Sequence, residues 1–430
     1  MKILVHHGAY PNFGDLSMLD TTIDRLAQIE GAELDVHGAL LDWRWSNARP
    51  VQYRVFPVSL LVDRIVRDSF MRMWSGNMLS MASAGWRSMA CRLLSLGWAT
   101  GAFPVRVATG WRTLGRWCRP YDALFIAGGG DMNDFFPEAL WHYCALIHVF
   151  ANAGKPVILS GQQLGPVECP VNRRLLLSTL KRVSYVGVRE PTDSLRFCEE
   201  AGLSESQFAM CGDDSLGMAP ADTRKINKLM RAYEISPRGF IAVNLRIAPY
   251  SRVSDDALVS FMETLAELSA IHGLDLVVVP VSVDDGDSDV DSGDLLARRI
   301  NGPRIKVIRG ERLSGPLIKG LLGHANGVVG VSYHFNTFAL SQGVPAVAVY
   351  SGDYYRQKAK GLAAFWGDER IAMPFTELDG QAAHRIRAVF ADEGLRQRLK
   401  TRAAQATRDW DALFAANVIQ QLEGFSQKAS

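Results

Sequence analysis

The chain has 430 residues, 48% of them hydrophobic and 21% charged, a balance that excludes a disordered polymer and leaves length for two domains that each bury a core. A formal net charge of +2 gives no general case for nucleic-acid binding. The six cysteines stand without a CxxC pair or a histidine at metal spacing and read as reduced packing residues, and no uncharged apolar run approaches the ~20 residues of a spanning helix.

In chain order, Lys2 to His6 reads as a strand, His7 to Gly14 as a loop, and about Asp15 to Ile29 as a helix. Asn12, Gly14 and Asp15 form a turn whose glycine lets the backbone approach a ligand at a helix amino end; a plain cap with Asp15 facing the dipole reads the same residues equally well. The start MKILVHHGAY lacks the long apolar segment of a signal peptide, so the expected location is the cytoplasm.

From Trp43 to Arg119 the character changes. Seven tryptophans and twelve arginines fall here, without a lysine and with Asp63 and Asp68 as the acids. Such an insert suits docking on an anionic membrane surface, since tryptophan prefers the interface and guanidinium favours lipid phosphate. It equally suits covering a core or making an oligomer contact.

A hydrophobic strand, Tyr121 to Ala127, runs into Gly128, Gly129, Gly130 and Asp131, where bare backbone amides allow a sugar or phosphate to lie against them. Asn133, Asp134 and Glu138 follow and are placed to grip sugar hydroxyls. The strand Val157 to Leu159 leads into the glycine-bounded polar loop 160–166, and Tyr185 to Val188 delivers Arg189 and Glu190, read as a structural ion pair between loops. Phe208 to Cys211 ends in Gly212, Asp213 and Asp214, and this aspartate pair lacks a third ligand at useful spacing, so no metal is expected.

The polar stretch Ala221 to Gly239 reads as a linker. Beyond it, Phe240 to Leu245 restarts the α/β pattern and places Arg246 at a strand's carboxyl end, followed by a helix, Asp255 to His272, and a strand, Leu274 to Val281. The acidic stretch Asp284 to Asp294 imitates a calcium loop at Asp287, Asp289 and Asp291. Ser292 stands where that loop needs glycine, however, and Arg298 takes its twelfth place. Arg304 to Ile308 reads as a strand and Ser314 to Gly323 as a helix.

The most informative stretch is Asn326 to Gly361. It reads as a buried strand (Gly327 to Val331), a turn with Ser332, Tyr333 and His334, a helix (Phe335 to Gln342), a second strand (Ala346 to Tyr350) and a cationic loop carrying Arg356, Lys358 and Lys360. In a parallel sheet the residues after a strand point into the ligand crevice, and an imidazole beside guanidinium and ammonium groups suits proton transfer on an anionic, phosphorylated small molecule. The tail from Thr376 to Phe425 is helical and is expected to cross back onto the first half. The fold class expected is α/β, two Rossmann-like domains facing a central cleft, at 1–225 and 226–430.

The ordered set NFGD (12–15), AGGGDMND (127–134), GQQLGP (161–166), VREPTDS (188–194), CGDD (211–214), Arg246, SYHFNTFALSQGVPAVAVY (332–350) and YRQK (355–358) resembles the polysaccharide pyruvyl transferase family over nearly all of the chain outside the Trp/Arg block. The resemblance implies a fold similar to GT-B glycosyltransferases. It also implies transfer of the pyruvyl unit of phosphoenolpyruvate onto a sugar of a surface polysaccharide or its lipid-linked precursor, commonly as a ketal. No other cofactor is implied.

By the same resemblance His334 is the acid or the phosphate ligand, and Arg246 binds carboxylate or phosphate. Ser332, Tyr333, Tyr350, Arg356 and Lys358 fall on the donor side; Asn12, Gly14, Asp15, Gly129, Gly130 and Asn133 on the acceptor side. Many family members carry an arginine two residues before the histidine, where this chain has Ser332. A lipid-linked acceptor implies a cytoplasmic protein held at the inner face of the membrane through 43–119, and oligomers remain open. Two other readings share the shape: a glycosyltransferase with a nucleotide sugar in the crevice, and a non-catalytic member of a polysaccharide-assembly complex.

Overall fold

The computed structural model describes residues 1–7, 12–38, 109–248, 251–283, 288–300, 305–309 and 313–429. The Trp/Arg-rich block up to position 108, and with it the surface-docking arginines, lies outside these residues, as do Asp284 to Asp287.

The described residues form two parallel sheets. The first contains β1 (Lys2–His7), β2 (Glu33–Gly38), β3 (Ala123–Ile126), β4 (Gly129–Met132), β5 (Val157–Leu164), β6 (Tyr185–Val188) and β7 (Phe208–Met210), in the order β2-β1-β3-β5-β6-β7 with β4 against β5. The second contains β8 (Phe240–Asn244), β9 (Asp275–Val278), β10 (Ile305–Val307), β11 (Gly327–Gly330), β12 (Ala346–Tyr350) and β13 (Ala372–Pro374), in the order β10-β9-β8-β11-β12-β13. The central strands β3, β8, β11 and β12 are buried at every position, which is why they read as unbroken apolar runs: helices cover both faces. These are two Rossmann-like α/β units facing a central cleft.

Local chemistry sets the helix ends. Ser254 caps the helix Asp255–His272 by accepting from the Ala257 amide, and Gly273 closes it in the left-handed region at φ 64°. Three elements depart from the sequence reading. The stretch taken as a linker holds a helix, Thr223–Ala232, capped by Asp222 and pinned by buried Ile226 and Met230. Gly129–Met132 is a short strand, whereas the sequence read loop. The expected cationic loop after β12 is a helix, Gly352–Trp366.

The apolar core is continuous between the halves, with Ile3, Leu19 and Phe125 of the first in one cluster with Val243, Val329 and Phe335 of the second. The helix Glu393–Phe414 carries Trp410 and Phe414 onto the first half. Trp410 Nε1 donates to Asp214 Oδ1 at 2.9 Å, and the Phe414 and Phe125 rings lie 5.9 Å apart.

Candidate active site

His334 sits in the first turn of the helix Tyr333–Leu340, immediately past β11. Two asparagines hold that turn. Asn244, at the end of β8, accepts from the Ser332 amide at 3.1 Å, and Asn336 donates to the Gly330 and Ser332 carbonyls at 2.9 and 2.8 Å. The imidazole lies against Gly14 so closely that a Cβ there would fall 2.1 Å from His334 Cγ. Gly14 belongs to the first turn of the helix Phe13–Leu26, so this one contact brings a strand end of each half together. Asp15 Oδ1 is 3.8 Å from His334 Nδ1, and Asp213 Oδ2 is 3.5 Å from Nε2.

Arg189, at the end of β6, completes this group and was not expected in it. Its side chain is buried, donates from Nη1 to Asp213 Oδ2 at 3.4 Å and from Nη2 to Gln163 Oε1 at 2.5 Å, and lies 4.0 Å from the centroid of the Tyr333 ring. Glu190 turns the other way and accepts from the amides of Thr192 and Ser194, so the two residues are not partners. Burial alone would raise the Asp213 carboxyl. The His334 imidazole 3.5 Å away, the Arg189 charge and the Ser215 hydroxyl outweigh it and hold Asp213 below the usual carboxylate range.

Lys358 approaches from the second half on the helix Gly352–Trp366. Its Nζ donates to the Tyr354 hydroxyl one turn earlier, and its Cε would lie 3.5 Å from a Cβ at Gly130, whose nearest neighbour is Arg189 Nη2. Burial, then the Arg189 charge, push the Lys358 ammonium below the usual lysine range, while burial, then Asp15, push Asp131 above the usual carboxylate range. Arg246 is engaged two-pronged by Asp289, Nε to Oδ1 at 2.9 Å and Nη2 to Oδ2 at 3.0 Å. Asp289 also accepts from Asn244 and from the amides of Val281 and Ser282, so it ties Arg246 to the turn before His334. Tyr350, 9% exposed, ends β12.

Two assignments need correction, and a third residue takes the capping role that the sequence also allowed. Arg356 is on the exposed face of its helix, paired with Asp353, and does not reach the group around His334. Asn133 is fully buried, donating to the Gly130 carbonyl and accepting from the Phe135 and Phe136 amides, which leaves no lone pair for a sugar. Asn12 spends its side-chain oxygen capping Gly14 and Asp15.

The glycine run is shaped largely from within. Cβ atoms at Gly128 and Gly161 would each fall 2.8 Å from Asp214 Oδ2, and one at Gly130 2.7 Å from Arg189 Nη2, whereas Gly129 has nothing nearer than 3.9 Å. Among the described residues no group of three or more His, Cys, Asp or Glu is arranged to hold a metal ion. Four of the site's side chains, all buried, keep polar atoms without a well-formed hydrogen bond among the described residues: both ring nitrogens of His7, His334 Nε2, Arg189 Nε and Gln163 Nε2. Unpaired polar atoms are costly in a folded interior, and their collection at strand ends of facing sheets marks a place prepared for a polar ligand.

The solved structures similar to this chain carry the same architecture. A co-structure of MnaA from S. aureus with UDP shares 13% identity, covers 97% of this chain and 98% of its own, and superposes with a TM-score of 0.61. Alr3699/HepE from Anabaena, in complex with UDP and glucose, shares 14% over the whole of both chains with a TM-score of 0.57. The UDP-GlcNAc 2-epimerase from Methanocaldococcus jannaschii shares 12%, covering 90% of this chain and 91% of its own, with a TM-score of 0.54. None of the curated proteins matches the chain.

These likenesses and the two facing sheets define a GT-B-like protein with its polar site between the domains. The family model of polysaccharide pyruvyl transferases matches residues 12–354, which span every strand end in that site except the end of β1. The chain belongs to the polysaccharide pyruvyl transferase family.

Proposed function

We propose that the chain moves the pyruvyl group of phosphoenolpyruvate onto a sugar of a surface polysaccharide or its lipid-linked precursor and closes it as a ketal. The observation that carries this reading is His334 held between Asp15 and Asp213 beside the buried guanidinium of Arg189. The chemistry needs a proton for the methylene carbon of the enol, cations for a trianionic donor and a path for hydroxyls to reach the carbon that becomes the ketal centre.

His334 supplies the proton. Arg189, whose Nε has no hydrogen-bond partner among the described residues, and Lys358 supply positive charge from opposite halves, and Arg246, oriented by Asp289, adds a third cation at a neighbouring strand end. Ser332 therefore does not leave the donor without guanidinium groups. Asp15, Asp131 and the open face at Gly129 line the acceptor side. A lipid-linked acceptor would bring the chain to the inner face of the membrane, with the Trp/Arg-rich block 43–119 as the contact; binding to anionic vesicles that falls as salt rises is the expected sign.

A second reading has an observation in its favour, since HepE of the same fold is solved with UDP and glucose. A ligand that binds only the folded state raises its melting temperature, by about 2.7 kcal/mol of stability at a hundredfold excess over Kd. Phosphoenolpyruvate should raise the melting temperature of this chain and UDP or UDP-glucose should leave it unchanged. The reverse pattern selects a nucleotide-sugar transferase, and no shift with either removes both enzymatic readings.

A further inference from the structure

His7 is the last residue of β1, and the strand's carboxyl end delivers its ring to the cleft beside the first turn of the helix Phe13–Leu26. The side chain is 2% exposed, and among the described residues neither ring nitrogen makes a well-formed hydrogen bond, the Gly128 backbone being a polar group that favours the charged ring. A core histidine ordinarily satisfies both nitrogens, one donating and one accepting. The charged groups acting on this ring are those of the site: Asp15 from the helix Phe13–Leu26, His334 from the helix Tyr333–Leu340 and Asp213 from the turn after β7. The Gly128 backbone flanks it beyond β3, and its register partner on β2 is Gly38, which brings no side chain.

We propose that His7 is a second proton-transfer residue of this site, the base that takes the proton of the attacking sugar hydroxyl, an assignment that rests on the pyruvyl-transfer reading above. Burial holds its ring below the usual imidazole range and therefore neutral near pH 7, ready to accept a proton. With two imidazoles the proton count closes. His334 gives its proton to the methylene carbon; the first hydroxyl oxygen bonds to the adjacent carbon and its proton passes to His7. His7 returns that proton to the phosphate as the carbon–oxygen bond breaks and inorganic phosphate leaves with the electron pair. The second hydroxyl closes the ketal and its proton restores His334. Each imidazole ends as it began, and the two hydroxyl protons finish on the new methyl group and on phosphate.

The test uses the full chain with phosphoenolpyruvate and, as probe acceptors, the methyl glycosides of glucose, galactose and mannose, reading released phosphate. His7→Gln keeps a polar side chain but cannot take up and return a proton. It should lower kcat by roughly 10²–10⁴-fold while the melting-temperature shift given by phosphoenolpyruvate stays as in the wild type. The wild-type rate should fall on the acid side, at a pH below the ordinary imidazole value near ~6.5, and the variant should lack that limb. His7→Gly should regain turnover when imidazole is added, which a purely structural histidine would not allow.

Turnover of His7→Gln within about threefold of wild type overturns the assignment. So does loss of the phosphoenolpyruvate shift together with turnover in both variants, which would make His7 a support for the donor site. A wild-type chain that neither releases phosphate with any probe nor is stabilised by phosphoenolpyruvate overturns the pyruvyl-transfer reading itself, and the base with it.

Discussion

At the scale of single residues, the site depends on two contacts that sequence spacing does not display. Gly14 is required because the His334 ring occupies the space a methyl group would take, at 2.1 Å from its Cγ. Gly14→Ala satisfies helix propensity yet must displace the imidazole, so turnover should fall at least a hundredfold while far-ultraviolet circular dichroism and the melting temperature stay close to wild type. An active Gly14→Ala enzyme would remove His334 in this pose from the chemistry. The second contact is the buried pair Arg189–Asp213, both side chains 1% exposed. Arg189→Met strands a carboxylate in the interior and should cost about 3–5 kcal/mol in urea unfolding, whereas the double change with Asp213→Asn should recover much of that loss. Adjacent Arg189 and Glu190 looked like partners in the sequence. The two side chains leave the end of β6 in opposite directions, however, so adjacency in sequence separates them, and burial of the arginine is a tertiary fact.

At the scale of elements, the buried strands, the turn before His334 and the glycine-rich strand ends were legible because parallel strands covered on both faces leave long apolar runs ending in polar residues. The segment after β12 was not, since Gly352, Asp353 and a cluster of charges carry the composition of a loop. Its helical period is visible in retrospect: Tyr354 and Lys358, four residues apart, share a face and a hydrogen bond, while Arg356 lies between them and turns outward. That geometry gives the two cations different fates. Lys358→Met should weaken phosphoenolpyruvate binding at least tenfold, read as a lost melting-temperature shift, and Arg356→Ala should leave the shift unchanged. Equal effects of the two changes would contradict the helix face assigned to the donor.

At the scale of the whole molecule, the two halves are joined behind the site through Asp214, which no reading of the CGDD motif could pair with a residue 196 positions away. Its carboxylate accepts from the Gly128 amide at 2.9 Å, the Ser160 hydroxyl at 2.6 Å and Trp410 Nε1 at 2.9 Å, so one buried group ties the end of β3 and the middle of β5 to the helix Glu393–Phe414. The Trp410 ring is 1% exposed and would overlap any side chain at Gly217, at 2.3 Å from its Cζ3. Burial pushes Asp214 up to about 7, the hydrogen bonds from Ser160 and Trp410 opposing.

A carboxyl whose folded pKa exceeds its unfolded value of about 3.9 contributes stability that is full below the lower value and is lost as pH rises through the higher one. The wild-type chain should therefore lose part of its stability between pH ~4 and about 7, and Asp214→Asn should flatten that slope whatever its effect on absolute stability. Trp410→Phe keeps most of the ring but removes one donor to the ionised form. It should leave the urea midpoint at pH 5 nearer to wild type than the midpoint at pH 8, where a lost hydrogen bond to a charged group is worth about 1.5–3 kcal/mol. Equal losses at the two pH values would mean that Trp410 contributes by packing alone, and that the C-terminal helix holds the halves together without acting on the carboxylate behind the site.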